Sequence, residues 1–124
     1  MRSRYAAYAL GLGEYLVATL ARDHEDREAP HDALVRALSS ARRTQRFMGL
    51  RVVRASGGPA DREGEVVFVA TIFERGKDLS FAERSRFVRE RDAWRYASGD
   101  TLAPEDLAAI EAGEPAPPGS LERA

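Results

Sequence analysis

One stretch of the chain concentrates groups able to bind, orient or move a proton: Glu83-Arg84-Ser85-Arg86-Phe87-Val88-Arg89-Glu90. Read as a strand, its alternation sends Phe81, Glu83, Ser85 and Phe87 to one face. Ala82, Arg84, Arg86 and Val88 take the other. The first face has aromatic ends around a polar middle, so Glu83 and Ser85 are expected to point inward. A carboxylate taken out of water needs a partner, because an unpaired ion in a low-dielectric interior is costly. The cations best placed to meet it are Arg2 and Arg4 of the N-terminal segment. One reading is therefore structural: a Glu83–Arg4 or Glu83–Arg2 ion pair that fixes an N-terminal helix on the sheet. The other is functional: the same groups line a ligand pocket with Tyr8, Tyr15 and Trp94. A small isomerase or hydrolase would then use Glu83 as base with a tyrosine. Asp78, Asp92 and Asp100 fall at turns or strand ends, where a raised pKa is hard to maintain. The structural reading is the one adopted, and no residue is assigned a catalytic role. Arg84 and Arg86, on the opposite face, are expected to be solvated or paired with neighbours near Glu65.

Other chemistries are excluded more directly. The 124 residues contain no cysteine, which removes disulfides, thiolate zinc sites, iron–sulfur ligation and thiol nucleophiles. The two histidines, His24 and His31, lie in or beside a charged stretch and read as exposed loop residues, so no metal and no cofactor are expected. There is no Gly-rich phosphate loop, H-E-x-x-H, G-x-S-x-G or EF-hand pattern. With 19 basic and 20 acidic side chains, the chain lacks the basic excess of a dedicated nucleic-acid binder. Lys77 is its one lysine, an arginine bias read as the mark of a GC-rich genome. The charge is unevenly spread. Residues 1–54 carry ten basic and six acidic residues, 55–99 eight of each, and 100–124 one and six. The most apolar stretch, Ala6 to Ala21, is broken by Gly11, Gly13 and Glu14, too short a run to span a bilayer. A cytoplasmic protein with no membrane partner is expected.

The elements that must position Glu83 follow from periodicity. Tyr5, Tyr8, Leu12, Tyr15, Leu16 and Thr19 recur at helical spacing over residues 1–21, with a kink or break expected at Gly11 and Gly13. Residues 22–29 read as a solvated charged linker. Pro30 opens a second short helix near 31–40. From Arg43 the period becomes extended. Strands are expected at 46–54, with Gly49 as a bulge, and at 65–74, apolar on both faces and hence central. Further strands follow at 80–90 and 93–98, joined by tight turns at 75–78 and 91–92 into an antiparallel meander. Residues 103–112 allow one short helix, and the Pro-rich, acidic 113–124 should be loose. The fold class is α+β: N-terminal helices packed on a curved antiparallel sheet of about four strands, forming a cone.

Particular residues also resemble a known family. Met1-Arg2-Ser3-Arg4-Tyr5-Ala6-Ala7-Tyr8-Ala9-Leu10-Gly11 looks like the opening of the bacterial YchJ middle domain, and Tyr15-Leu16-Val17-Ala18-Thr19 continues it. Met48-Gly49-Leu50 sits where that family has a short W-L-G-L-like run. Glu65 to Ala70, followed by Glu83 to Glu90, is the most specific stretch. Trp94-Arg95-Tyr96 with Gly99 resembles its closing W-Y-Y-x-D-G strand. The resemblance covers about residues 1–102 and implies a nuclear transport factor 2-like cone, with 103–124 left as an acidic tail. Relatives usually carry cysteine-rich SEC-C zinc motifs, absent from these residues. Where the family often has histidines, this chain has Leu20 and Ala21, and Phe81 and Ala82; Ser98 replaces an aspartate. The family has no established biochemical role, so the resemblance implies a fold and not an activity. The expectation is a non-catalytic binding or protein-interaction domain with an unidentified protein or small-molecule ligand. A homodimer through the sheet is one arrangement the scaffold allows.

Overall fold

The computed structural model describes residues 1–58 and 60–113. The expectation for the tail therefore lies, from residue 114 onward, outside the described residues, as does Pro59 of the turn cluster.

The N-terminal helical stretch is two helices, α1 (Arg2–Leu10) and α2 (Gly13–Ala18). The two glycines have different jobs. Gly11 ends α1 in the left-handed region, φ 72°, where a residue without Cβ is favoured. Gly13 is a point of close approach: a Cβ there would fall within 3.0 Å of the Val35 carbonyl oxygen and the Ser39 hydroxyl. Both belong to α3 (His31–Ser39), which packs against α2. Between them lies a 310 turn, Glu25–Glu28. The linker is exposed, as its composition predicts, apart from the half-buried His24, but it is tied to the fold. Arg27 donates to the carbonyl oxygens of Val17, Leu20 and Ala21 at 3.0, 2.7 and 2.9 Å. It thereby satisfies acceptors that the end of α2 leaves open. A further short helix, α4 (Ala41–Thr44), leads into the sheet.

The strands are β1 (Gln45–Ser56), β2 (Glu63–Glu74), β3 (Lys77–Asp78), β4 (Phe81–Glu90) and β5 (Ala93–Leu102). They form one antiparallel sheet in the order β1-β2-β4-β5, with the short β3 paired to β2. Two-residue turns close the β2–β3 and β4–β5 hairpins. Arg75 and Gly76, then Arg91 and Asp92, all have positive φ, the geometry that matches the twist of hairpin strands. Two register shifts interrupt β1, between Phe47 and Gly49 and between Val52 and Arg54. The Gly49 N–H donates to the Tyr5 hydroxyl at 2.8 Å, tying α1 to the first shift.

β2 is central and covered on both sides, as its two apolar faces require. On the helix side Phe68, Ala70 and Ile72 pack with Met1, Tyr5, Phe47 and Phe81. A second cluster, Val17, Leu20 and Leu34, joins α2 and α3 to Tyr96. The opposite face is covered by α5 (Pro104–Glu111). Its Ile110, 3% exposed, sits with Val67, Ala82 and Leu102, so this helix shares the core of the preceding strands. Beyond β5, residues 19–21 run alongside its edge. Tyr96 N–H donates to Thr19 O, and Ala21 N–H to Tyr96 O, both at 2.8 Å. Among the described residues, no helix is long and apolar enough to cross a membrane.

Candidate functional site

The polar face of β4 meets the helices at one cluster. Ser85 is fully buried, and its hydroxyl donates to Glu83 Oε2. The same carboxylate oxygen accepts from the Tyr96 hydroxyl at 3.0 Å. Tyr96 comes from β5, opposite Phe87, and its ring contacts Phe87 edge-on at 5.7 Å. The arrangement depends on Gly99, which faces Ser85 across the β4–β5 ladder. A Cβ at Gly99 would lie within 3.0 Å of both the Tyr96 hydroxyl and the Glu83 carboxylate.

Arg4 closes the cluster from α1. It is 4% exposed. Its Nη1 donates to Leu16 O at 2.8 Å and to the Thr19 hydroxyl. The guanidinium lies 4.8 Å from the centre of the Tyr96 ring, a cation–π contact in a desolvated place. The direct Glu83–Arg4 ion pair expected from sequence is not formed. Arg4 is engaged by carbonyl and hydroxyl acceptors on and just after α2, and Tyr96 supplies the donor that Glu83 receives. One side chain thus presents its face to the cation and its hydroxyl to the anion.

Burial pushes the Tyr96 hydroxyl pKa well above 10, and the adjacent Glu83 carboxylate raises it further. Tyr8 is also raised, chiefly by burial, although the Arg4 guanidinium beside it pulls the other way. Both phenols are therefore protonated donors at neutral pH. The cluster can hold a proton in place but offers no tyrosinate.

Of the residues singled out from sequence, Arg4, Tyr8, Glu83 and Ser85 come together, joined by Thr19, Tyr96 and Gly99. Three do not join. Arg2 is exposed. Tyr15 is 41% exposed and donates to the Ser3 hydroxyl at 2.7 Å. Trp94 lies under the Arg89 guanidinium, 4.4 Å from its ring centre, and lines a separate hollow of about 210 Å³ with Met1, Gly57, Val66 and Phe87. A second hollow of about 160 Å³ is lined by Met1, Tyr5, Tyr8, Phe47, Phe68 and Phe81 among others. Glu83 lines neither. Strict alternation would put Tyr96 and Gly99 on opposite faces. A register shift between Arg86 and Phe87, opposite Ala97, brings them to the same one.

On the outer face, Arg86 pairs with Glu63 at 2.7 Å, and Arg84, 2% exposed, lies 3.9 Å from Glu65. Asp100 stands opposite Arg84 in the ladder. Among the described residues, no three His, Asp or Glu side chains are grouped to hold a metal ion.

Comparison with known proteins agrees with this architecture. A UPF0225 protein of Chromobacterium violaceum is 43% identical over 100 residues, covering 80% of this chain and 69% of that protein. One from Vibrio parahaemolyticus is 36% identical over 99 residues, covering 80% of this chain and 56% of that protein. The chain thus spans little more than half the length of some relatives. The solution structure of a SEC-C motif containing protein from Rhodopseudomonas palustris superposes with a TM-score of 0.68 at 35% identity, over 83% of this chain and 76% of the other. The crystal structure of a SEC-C motif containing protein from Psychrobacter arcticus gives 0.56 at 26% identity, over 84% and 56%. Residues 1–99 match the model of the YchJ middle NTF2-like domain. The chain belongs to the YchJ family, of which it carries this middle domain.

Proposed function

We propose that this domain is a non-catalytic binding or interaction module, in which the polar cluster around Glu83 holds the cone together instead of turning over a substrate. One observation carries the reading. The Glu83 carboxylate is tied down by two donors, Ser85 and Tyr96, both on Oε2, and it lines neither hollow on its side of the sheet. Those hollows, at about 210 and 160 Å³, are also smaller than the roughly 300–1,000 Å³ of ordinary ligand sites. The reading includes a second copy of the chain docking through the sheet. That copy would meet the part of the outer face where Glu63, Glu65 and Arg86 lie.

The test pairs a variant with a ligand screen. Glu83→Gln keeps an acceptor for both hydroxyls but removes the charge, so a stability loss of about 1 kcal/mol is expected. In the unaltered protein, amide resonances of Tyr8, Glu83 and Tyr96 should stay in place through a screen of small carbonyl and carboxylate compounds. A compound that shifts these three together and saturates at micromolar concentration overturns the proposal.

A further inference from the structure

A further hollow among the described residues lies outside the polar cluster. It has a volume of about 650 Å³, and six arginines line it: Arg22, Arg27, Arg62, Arg89, Arg91 and Arg95. One carboxylate, Glu90, shares the wall and accepts from the Arg22 backbone N–H at 3.0 Å. This concentration of positive charge sits on a chain whose net charge is −1, so it is a local feature and not general basicity.

The six arginines fall into two groups. Arg27 and Arg89 are held by the fold. Arg27 is bound to the three carbonyls at the end of α2, and Arg89 to the carbonyls of Gly58 and Asp61 and to the Trp94 ring. They fix the segment that leads to Arg22 and the β1–β2 loop that leads to Arg62. The guanidiniums of Arg22, Arg62, Arg91 and Arg95 have no hydrogen-bond or ion-pair partner among the described residues. A smaller hollow of about 310 Å³ shares Arg62, Arg89 and Arg91 and adds Asp61 and Asp92. Asp61 Oδ2 already accepts from the Gly58 N–H at 2.7 Å.

Four unpaired arginines lining one hollow concentrate positive charge around it, and a planar fork of donors matches a phosphate bidentately. A cleft of this volume suits a small molecule, and several forks suit more than one phosphate. We infer that this arginine cleft binds an oligophosphate, two or more linked phosphate groups, either free or as the tail of a nucleotide. The inference rests on the binding-module reading and names its ligand class. The balanced charge of the chain favours a compact anion over a polymeric nucleic acid.

The experiment is calorimetric titration of the full chain with inorganic tripolyphosphate at low salt, with orthophosphate, ATP and a single-stranded oligonucleotide as further arms. Tripolyphosphate is expected to bind at least about 10-fold more tightly than orthophosphate, and to weaken as salt rises. The pair Arg62→Gln and Arg95→Gln, which leaves Arg27 and Arg89 in place, should weaken it roughly 30-fold or more. The pair Arg54→Gln and Arg75→Gln, outside the cleft, should leave it unchanged. ATP equal to tripolyphosphate points to the free anion, and ATP clearly tighter to the nucleotide; both support the cleft. No binding of tripolyphosphate at millimolar concentration overturns the inference, as does equal weakening by the two pairs. An oligonucleotide that binds where tripolyphosphate does not also overturns it. Release of orthophosphate during the titration would keep the cleft and overturn the non-catalytic reading, so the two fail separately.

Discussion

Gly99 is the position where one added methyl group tests the account of the polar cluster. Its Cβ would fall within 3.0 Å of the Tyr96 hydroxyl and of the Glu83 carboxylate. Both are side-chain ends, so in Gly99→Ala the fold survives by pushing them apart. That breaks the 3.0 Å Tyr96–Glu83 hydrogen bond, and a bond to a charged acceptor contributes about 1.5–3 kcal/mol. Overpacking beside the fully buried Ser85 adds about 1–3 kcal/mol. The sum, about 3–5 kcal/mol, is a large share of the roughly 5–15 kcal/mol that holds a domain folded. It corresponds to a fall in Tm on the order of 10–20 °C. Urea unfolding followed by Trp94 fluorescence and far-ultraviolet circular dichroism measures it. Adding Glu83→Ala makes room for the methyl group, so the double variant should be more stable than the two single losses imply, by about 1 kcal/mol or more. A Gly99→Ala loss below about 0.5 kcal/mol, or strict additivity in the cycle, refutes the reasoning.

Two further outcomes follow from the same packing. Tyr96 and Tyr8 both titrate above their ordinary value of 10.0. Above pH 10 the unfolded chain therefore sheds protons that the folded chain keeps, and stability falls as pH rises, by up to roughly 1.4 kcal/mol per pH unit for each tyrosine. Tyr96→Phe should flatten that decline between pH 10 and 12; an unchanged slope assigns it elsewhere. Ile110→Ala opens a cavity under α5 and should cost about 2–5 kcal/mol. An effect under 1 kcal/mol in chemical denaturation (below the usual span for such truncations) would mean that α5 is only loosely seated.

The parts of the fold legible in sequence are those written in short-range pattern. Alternation through Val66 to Phe73 marked a strand covered on both faces, and the turns at 75–78 and 91–92 marked hairpins, although Lys77 and Asp78 of the first are themselves paired with β2 as β3. Gly11 and Gly13 marked the break between α1 and α2, although the contact of Gly13 with α3 depends on how distant helices pack. The polar cluster was half legible. Glu83 and Ser85 follow from alternation, but Tyr96 and Gly99 reach the same face through a register shift that no local signal announces. The expected Arg4–Glu83 pair failed because the Leu16 carbonyl and the Thr19 hydroxyl, invisible to a charge count, hold Arg4. The arginine cleft is not legible in the sequence for a related reason. Its members are separated by up to 73 positions, from Arg22 to Arg95, and only the loops of one end of the sheet gather them.

The segment 19–21 has a consequence for how this sheet can grow. By engaging both backbone groups of Tyr96, it seals the margin along the middle of β5. Among the described residues the margin without a paired strand is β1, where the irregular register at Met48 and Val53 and the arginines at 46, 51 and 54 make a poor template for a regular incoming strand. A sheet closed on one flank and roughened on the other resists edge-to-edge addition of further strands, even though it is not a closed barrel, and leaves its faces as the surfaces through which copies could meet.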